Sequence, residues 1–183
     1  LCLQGRNFAN KIWNASRLVK SWETTDDIET PEYASIHIQW FKSRFFEVLS
    51  EINEHFAHFR ISAALMSIYR LVWDDFCSWF LEGVKPAFGE KMDVSTYEQT
   101  IELFDNVLKL IHPYMPFVSE EIWQQLQKRQ EDEFLMISEW PAEQKWDAHL
   151  NETMETGKEM IAGIRTYRTK SGISTKESLE LYV

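Results

Sequence analysis

The chain has 183 residues, of which 44% are hydrophobic and 14% aromatic, with only 6 Gly and 5 Pro. This composition suits one domain with a sizeable core and favours long helices. No apolar run is long enough to span a membrane, and nothing in the sequence resembles a signal peptide. The two cysteines show neither metal-ligand spacing nor a disulfide framework, so we expect a cytoplasmic protein.

The net charge of −10 argues against a nucleic-acid partner, but the charge is unevenly distributed along the chain. Residues 1–20 carry four cations and no acidic residue, whereas residues 158–176 carry five cations and one acidic residue. Two basic ends therefore flank an acidic middle. This pattern indicates either an ordinary solvated surface or surfaces that meet a polyanion.

The first predicted helix covers residues 5–20 and is amphipathic. Its apolar face carries Phe8, Ile12, Ala15 and Val19, with Trp13 alongside as a core residue more than a stacking platform. The opposite face bears amides and cations, namely Asn7, Asn10, Lys11, Asn14 and Arg17. Asn is a poor helix former, so these amides either brace neighbouring loops or bind a partner such as phosphates and base edges.

A polar loop at 21–34 precedes a second predicted helix at about 34–58. Its apolar residues keep steps of three and four from Ile38 through Phe56 to Phe59. His55 and His58 stand three apart, but no carboxylate has the spacing that a metal site in a helix bundle needs. We therefore expect no metal site.

The stretch Ser62–Pro86 is predicted to be the central helix of the fold. It is apolar almost all the way round, so other helices must pack on several of its sides. Ser62 is the predicted N-cap, and Gly83 and Pro86 mark the end. Most of these residues indicate a simple core helix, but Phe76, Trp79 and Leu81 are where a further role is expected.

Three more helices are predicted after a turn. A capping box at Ser95–Glu98 opens a helix that ends at Ile111, Pro116 starts the next, and another covers about 149–169. Short strands are predicted at 134–137 and 179–183. The expected architecture is an all-α bundle over residues 1–147, followed over 148–183 by a helix and the first strand of a small mixed α/β appendage.

Motifs for catalysis are missing from the sequence. There is no Gly-rich phosphate loop, no G-x-S-x-G and no Cys/His pair at ligand spacing. The residues alone thus favour a binding module over an enzyme centre.

Several stretches resemble one family in the order that the family has them. They are GRNFANKIWNASR at 5–17, WDDFCSWFLEGVKP at 73–86, HPYMPFVSEEIW at 112–123, Trp140-Pro141 and IRTYRTKSGI at 164–173. Together they are similar to the anticodon-binding domain of class I aminoacyl-tRNA synthetases, and within that class to the valyl-tRNA synthetases. The resemblance implies a helical bundle that grips the anticodon stem and loop of a valine-accepting tRNA.

The resemblance also implies site residues. The family's anticodon pocket lies between the first helix and the C-terminal part of the central helix, which corresponds here to Asn14, Arg17, Leu18 and Leu81, with Trp79 nearby. Lys11 and Arg17 would contact phosphates, although Arg17 is also a candidate salt-bridge partner. An aromatic residue often stands where Leu18 is, so Leu18 would cover a base by apolar contact without offering a π face.

What the resemblance implies about activity concerns a longer protein, of which we expect the chain to be a piece. Such a protein attaches valine to its tRNA with ATP and Mg. The H-I-G-H-like and K-M-S-K-S-like motifs for ATP are not in this sequence, so the piece alone is expected to be inactive and to bind no cofactor. We expect a monomer that binds no membrane. The alternative is a helical protein–protein interaction domain, which the net negative charge and the aromatic content favour.

Overall fold

The computed structural model describes residues 2–174, 177, 178 and 180. The chain divides into two compact units, residues 1–146 and residues 147–183. The predicted all-α class is confirmed, since helices form nearly all the regular structure of the described residues. The strand predicted at 179–183 lies outside the described residues, apart from residue 180.

The first unit is built from antiparallel and parallel helices joined by short links. In chain order they are α1 (Cys2–Lys20), α2 (Glu32–Ala57), α3 (Ile61–Arg70), a π-helical segment (Leu71–Phe80), α4 (Leu81–Val84), α5 (Val94–Ile111) and α6 (Pro116–Leu126). Two short strands, β1 (Thr24–Thr25) and β2 (Met92–Asp93), pair in parallel. The run from α3 to α4 confirms the predicted central helix, although its middle is π-helical.

The directions of the helices follow from contacts near their ends. Phe8 of α1 stacks on Tyr69 of α3, and Lys20 at the end of α1 reaches Gln125 near the end of α6, so these three helices run the same way. The hydroxyl of Tyr114, just after α5, donates to the carbonyl of Ile61. The starts of α1, α3 and α6 therefore share what we call the upper end of the bundle, and the ends of α1, α4 and α6 share its lower end.

The core is an aromatic cluster at the crossing of α2, the π-helical segment and α5. The ring of Phe41 lies 4.8 Å from that of Phe80 and 5.3 Å from that of Phe76, and the ring of Phe104 lies 4.8 Å from Phe76. All four side chains are fully buried. This arrangement confirms that helices surround the central helix on several sides.

The predicted capping box at Ser95–Glu98 is wrong, because α5 begins two residues earlier than that box implies. Asp93 is the N-cap, and its carboxylate accepts a hydrogen bond from the backbone N–H of Thr96 at 2.9 Å. The same carboxylate oxygen accepts from the Thr30 hydroxyl at 2.8 Å. Asp93 belongs to β2, so pairing of the two strands places it where it can cap the helix.

The central helix also starts differently from the prediction. Arg60 is the N-cap residue and makes no side-chain capping bond, and Ser62 lies inside the helix. At the other end, Lys85 adopts an extended conformation directly before Pro86. That conformation is the one a residue before proline prefers, so Pro86 ends the helix as predicted.

Phe59 was predicted to belong to the apolar face of α2, and this is wrong. The residue lies beyond the end of the helix with φ +56° and 88% of its surface exposed. The N–H of Arg60 donates to the carbonyl of His55, which closes the helix end and forces Phe59 into the left-handed region. The other predicted apolar positions of α2 from Ile38 to Ile52 are buried.

The strand predicted at 134–137 is also wrong, because Leu135–Ile137 is a 3₁₀ turn. The backbone N–H of Leu135 donates to the carboxylate of Glu120 at 3.0 Å, and the Leu135 side chain is buried. A side chain of α6 thus takes the backbone hydrogen bond that a strand partner would have taken.

The second unit contains α7 (Ala148–Lys170), which confirms the helix predicted at about 149–169. The carboxylate of Asp147 caps it by accepting from the N–H of Leu150. Gly172 follows with φ +66°, and the Arg168 guanidinium donates to the carbonyls of Ser174 and Glu177. The basic stretch predicted at this end of the chain is therefore folded back on its own backbone at Arg168.

Candidate nucleic-acid interface

One face of α1 is exposed and carries no acidic residue. Phe8, Ile12 and Val19 are buried in the bundle, which turns the other side of the helix to solvent. The exposed side chains on that side include Asn7, Asn10, Asn14 and Arg17. Leu18 lies beside them with 37% of its surface exposed. The face predicted from the sequence thus exists as a surface.

Asn14 and Arg17 are unengaged side chains on this face. Within the described part of the chain neither makes a side-chain hydrogen bond or an ion pair. An Arg without a partner on an acidic protein is available for an anion, and its planar guanidinium suits a phosphate. The alternative role of Arg17 as a salt-bridge partner therefore finds no partner among the described residues.

Lys11 is placed differently from the other cations of α1. Its ammonium donates to the hydroxyl of Ser78 at 2.8 Å and lies 4.2 Å from the centre of the Trp73 ring. Both partners belong to the π-helical segment. Lys11 is half-buried, and its charge is directed at the neighbouring helix.

The π-helical segment is the other wall of the candidate interface. At its end, the N–H of Leu81 donates to the carbonyl of Phe76, five residues earlier, as a π-helix requires. The Ser78 hydroxyl also donates to the carbonyl of Trp73 at 2.8 Å. Because π-helical turns are rare and recur at functional sites, this segment is a candidate site element on geometric grounds.

A ladder of three aromatic rings joins α1 to this segment. Phe8 stacks on Tyr69 with ring centres 5.1 Å apart, and Tyr69 stacks on Trp73 at 5.6 Å with the ring planes 10° apart. Lys11 then lies over Trp73. Offset stacking and a cation over an indole are both attractive, so the ladder fixes α1 on the central helix. This ladder was not predicted from the sequence, where the step of four residues from Tyr69 to Trp73 was its only signal.

Trp79 and Leu81 sit at the lower end of the same helical run. Trp79 is half-buried, whereas Leu81 is 1% exposed and packed in the core. In this conformation the Leu81 side chain offers no surface that a base could contact directly. Asn14, Arg17 and Leu18 are thus exposed on one helix, whereas Leu81 is a core residue that the structure does not bring to the same surface.

An ion pair holds the far side of the π-helical segment. The carboxylate of Asp75 is buried and accepts from Nε of Arg44 on α2 at 3.0 Å. Arg44 also bonds to Glu47 at 2.7 Å. A buried carboxylate needs such a partner, because an unpaired charge there would be costly. Asp75 was not predicted from the sequence either, although an acidic residue next to Phe76 within an apolar run was the available signal.

Burial also affects the single thiol near this wall. It raises the pKa of Cys77 to about 12, and the nearby charge of Lys11 offsets the rise in part. A thiol with so high a pKa is a poor nucleophile near neutral pH. The described residues also lack two other kinds of feature. They contain no group of three metal-ligating side chains that could hold a metal ion. None of the described helices is long and apolar enough to cross a membrane.

Residues 39–183 match the protein family described as the anticodon-binding domain of tRNA ligase. Over all 183 residues the chain is 48% identical to a valine–tRNA ligase of Christiangramia forsetii and 49% identical to that of Phocaeicola vulgatus. It is 32% identical to the valine–tRNA ligase of Legionella pneumophila over 97% of its length. In each case the match covers 21% of the relative, so the chain spans about a fifth of these proteins.

Proposed function

The chain belongs to the anticodon-binding domain family of tRNA ligases, and we propose that it binds the anticodon arm of a valine-accepting tRNA as one domain of a valine–tRNA ligase. The observation that carries this proposal is the acid-free exposed face of α1 on a chain whose net charge is −10. Such a face favours a polyanion, and the names of the relatives supply valine as the amino acid.

The exposed residues of α1 have different proposed roles in binding the anticodon loop. Arg17 contacts a phosphate of the anticodon loop, because its guanidinium is exposed and has no partner among the described residues. Asn14, one turn earlier, donates or accepts at a neighbouring phosphate or base edge. Leu18 covers an unstacked base by apolar contact, which excludes water without requiring an aromatic face.

Trp79 and Leu81 shape the site from the central helix. Trp79 is half-buried, so part of its ring is open to a ligand at the lower end of the bundle. Leu81 is buried, so its proposed role is to hold the lower end of the central helix in place and not to contact a base. Lys11 is the last of the proposed site residues, and it lies in the contact between α1 and the π-helical segment.

The remaining functions belong to other parts of the longer protein. We infer that ATP and magnesium are bound there and that valine is attached to the tRNA there. We further infer that residues 148–183 begin a small mixed α/β domain that precedes a C-terminal arm in the longer protein. We further propose that the protein is a cytoplasmic monomer, which gel filtration of the full-length protein would test.

The experiment compares two tRNA transcripts in the full-length protein at several salt concentrations. One transcript has the valine anticodon and the other a substituted anticodon. Wild type should prefer the first, and binding should weaken steeply with salt because phosphate contacts release counterions. Arg17→Ala should reduce the slope of log affinity against log salt by about one unit and weaken both transcripts equally.

The matched control is Arg60→Ala, which removes an exposed Arg at the upper end of the bundle, away from the proposed site. It should bind both transcripts as wild type does. Equal binding of the two transcripts by wild type, or binding that does not respond to salt, would contradict the proposal.

A further inference from the structure

The contact between Lys11 and the π-helical segment is unlike a phosphate site. The ammonium has two partners already, the Ser78 hydroxyl at 2.8 Å and the face of Trp73 at 4.2 Å. An ammonium is a compact, strongly hydrated charge, and here part of its hydration is replaced by fixed protein groups. Two protein groups thus already engage the Lys11 ammonium, which has three N–H donors, whereas the Arg17 side chain makes no hydrogen bond or ion pair among the described residues.

Ser78 passes the contact on to the backbone. Its hydroxyl accepts from Lys11 and donates to the carbonyl of Trp73, which lies five residues earlier. Linked hydrogen bonds strengthen one another, so the ammonium polarises the hydroxyl towards that carbonyl. Trp73 is thus held twice by the same cation, once through its ring and once through its carbonyl.

The spacing of five residues matters because it belongs to a π-helix and not to an α-helix. If the segment returned to α-helical spacing, residues after it would rotate about the helix axis relative to those before it, because an α-helix has fewer residues per turn than a π-helix. Trp79 and Leu81 lie directly after the held turn. Their orientation about the helix axis therefore depends on the register of this segment.

We propose that Lys11 is a positioning residue that holds the π-helical register of Leu71–Phe80 and so orients Trp79 and Leu81 in the tRNA site, and that it does not contact phosphate. The Asp75–Arg44 ion pair holds the opposite side of the segment, so the register is fixed from two helices. The inference rests on the proposed function, because its consequence is anticodon discrimination.

A salt series on the full-length protein separates the two roles of Lys11. A positioning role predicts that Lys11→Met lowers the preference for the valine anticodon about tenfold and leaves the salt slope at the wild-type value. A phosphate contact predicts the reverse, a slope reduced by about one with the preference unchanged, as for Arg17→Ala. That second result would overturn the inference.

Variants on the other partner test the hydrogen-bond relay. Ser78→Ala should lower discrimination as Lys11→Met does, and the double variant should be no worse than either single variant, because both act through one contact. Ser78→Thr keeps the hydroxyl and should restore discrimination. Additive losses in the double variant, or failure of Ser78→Thr to restore it, would count against the relay.

Amide hydrogen exchange without tRNA tests the register independently of the proposed function. Lys11→Met should speed exchange in peptides covering 71–84 and leave α5 peptides at the wild-type rate. Unchanged exchange in 71–84 overturns the inference whether or not tRNA binds. If wild type fails to discriminate between the transcripts, the proposed function is overturned instead, and the exchange data still decide whether Lys11 holds the segment.

Discussion

Gly83 lies against the imidazole ring of His37, so closely that a Cβ on Gly83 would come within 2.1 Å of Cδ2 of His37. His37 is fixed from its other side, because its Nδ1 lies 2.7 Å from the carbonyl oxygen of Tyr33. The sequence indicated Gly83 as a helix terminator, but it lies within α4, which ends at Val84. The glycine is required for the close approach of α4 to α2.

Gly83→Ala should therefore destabilise the protein by about 1–3 kcal/mol, the usual cost of overpacking. Urea unfolding followed by circular dichroism measures the loss. The control repeats Gly83→Ala in a His37→Ala background, where the missing imidazole makes room for the methyl group. In that background Gly83→Ala should lower the free energy of unfolding much less than it does in wild type. An unchanged urea midpoint in Gly83→Ala would show that His37 moves aside at little cost.

Asp93, and not Ser95, should be the residue whose removal weakens α5. Asp93→Ala removes the bonds to Thr96 and Thr30 and should cost about 0.5–2 kcal/mol of unfolding free energy. Ser95→Ala is the matched control and should cost less, because Ser95 does not cap the helix in the structure. Equal losses in the two variants would restore the capping box that the sequence predicted.

The same carboxylate gives a pH dependence. Burial acts to raise the pKa of Asp93, but hydrogen bonds from Thr96 and Thr30 outweigh it and hold the pKa below its usual value. A lowered pKa in the folded state means stabilisation that is present above about pH 3.9, the unfolded value, and is lost as the pH falls below it. The stability difference between wild type and Asp93→Ala should thus shrink in acid, which urea titrations from pH 6 down to pH 3 would measure.

Phe76 should carry a large share of the core energy. It is fully buried against Phe41 and Phe104, so Phe76→Ala should cost about 3–5 kcal/mol. Trp79→Ala should cost less, because Trp79 is only half-buried. The control is Phe59→Gly, which removes an exposed side chain from a left-handed residue and should leave stability unchanged or raise it. A loss below 1 kcal/mol at Phe76 would contradict the described core.

Cys77 should resist thiol reagents in the folded protein. With a pKa of about 12, only a minute fraction of the thiol is ionised at pH 8. In a Cys2→Ser background, alkylation at pH 8 should be slow in the native state and fast in urea. Rapid native alkylation would show that the wall between α1 and the π-helical segment opens readily.

The helices that the sequence predicted well are those with a sustained apolar period. In α5 the residues Ile101, Phe104 and Val107 recur at helical steps and are all buried. Burial of these apolar side chains stabilises the helix more than any other local conformation of the same segment would be stabilised. The exposed face of α1 was predictable for the same reason. Its exposed residues are those left over once Phe8, Ile12 and Val19 are buried.

Features that depend on tertiary contacts were not predictable. The π-helical register of Leu71–Phe80 has no period that separates it from an α-helix over so few residues, and it is set by contacts with α1 and α2. Lys11 resembled the other cations of α1 because helical position alone places it on their face. Likewise, Asp93 caps α5 because β1 pairs with β2, and strands of two residues are too short to be predicted from the sequence.

Leu18 provides the last prediction, on base contact within the proposed site. It is 37% exposed beside Arg17, so Leu18→Gln should leave folding intact while it removes apolar cover from a base. We expect the preference for the valine anticodon to fall about tenfold, within the 1–3 kcal/mol of a base contact, with no change in salt slope.

Leu81→Gln is the contrasting variant, because a polar group at a fully buried position should lower the urea midpoint before any effect on tRNA is seen. Charging of both transcripts by the full-length protein, together with urea unfolding, measures the two effects. If Leu18→Gln keeps the wild-type preference at wild-type stability, the base is covered by another part of the lower end, and Trp79 becomes the residue to vary next.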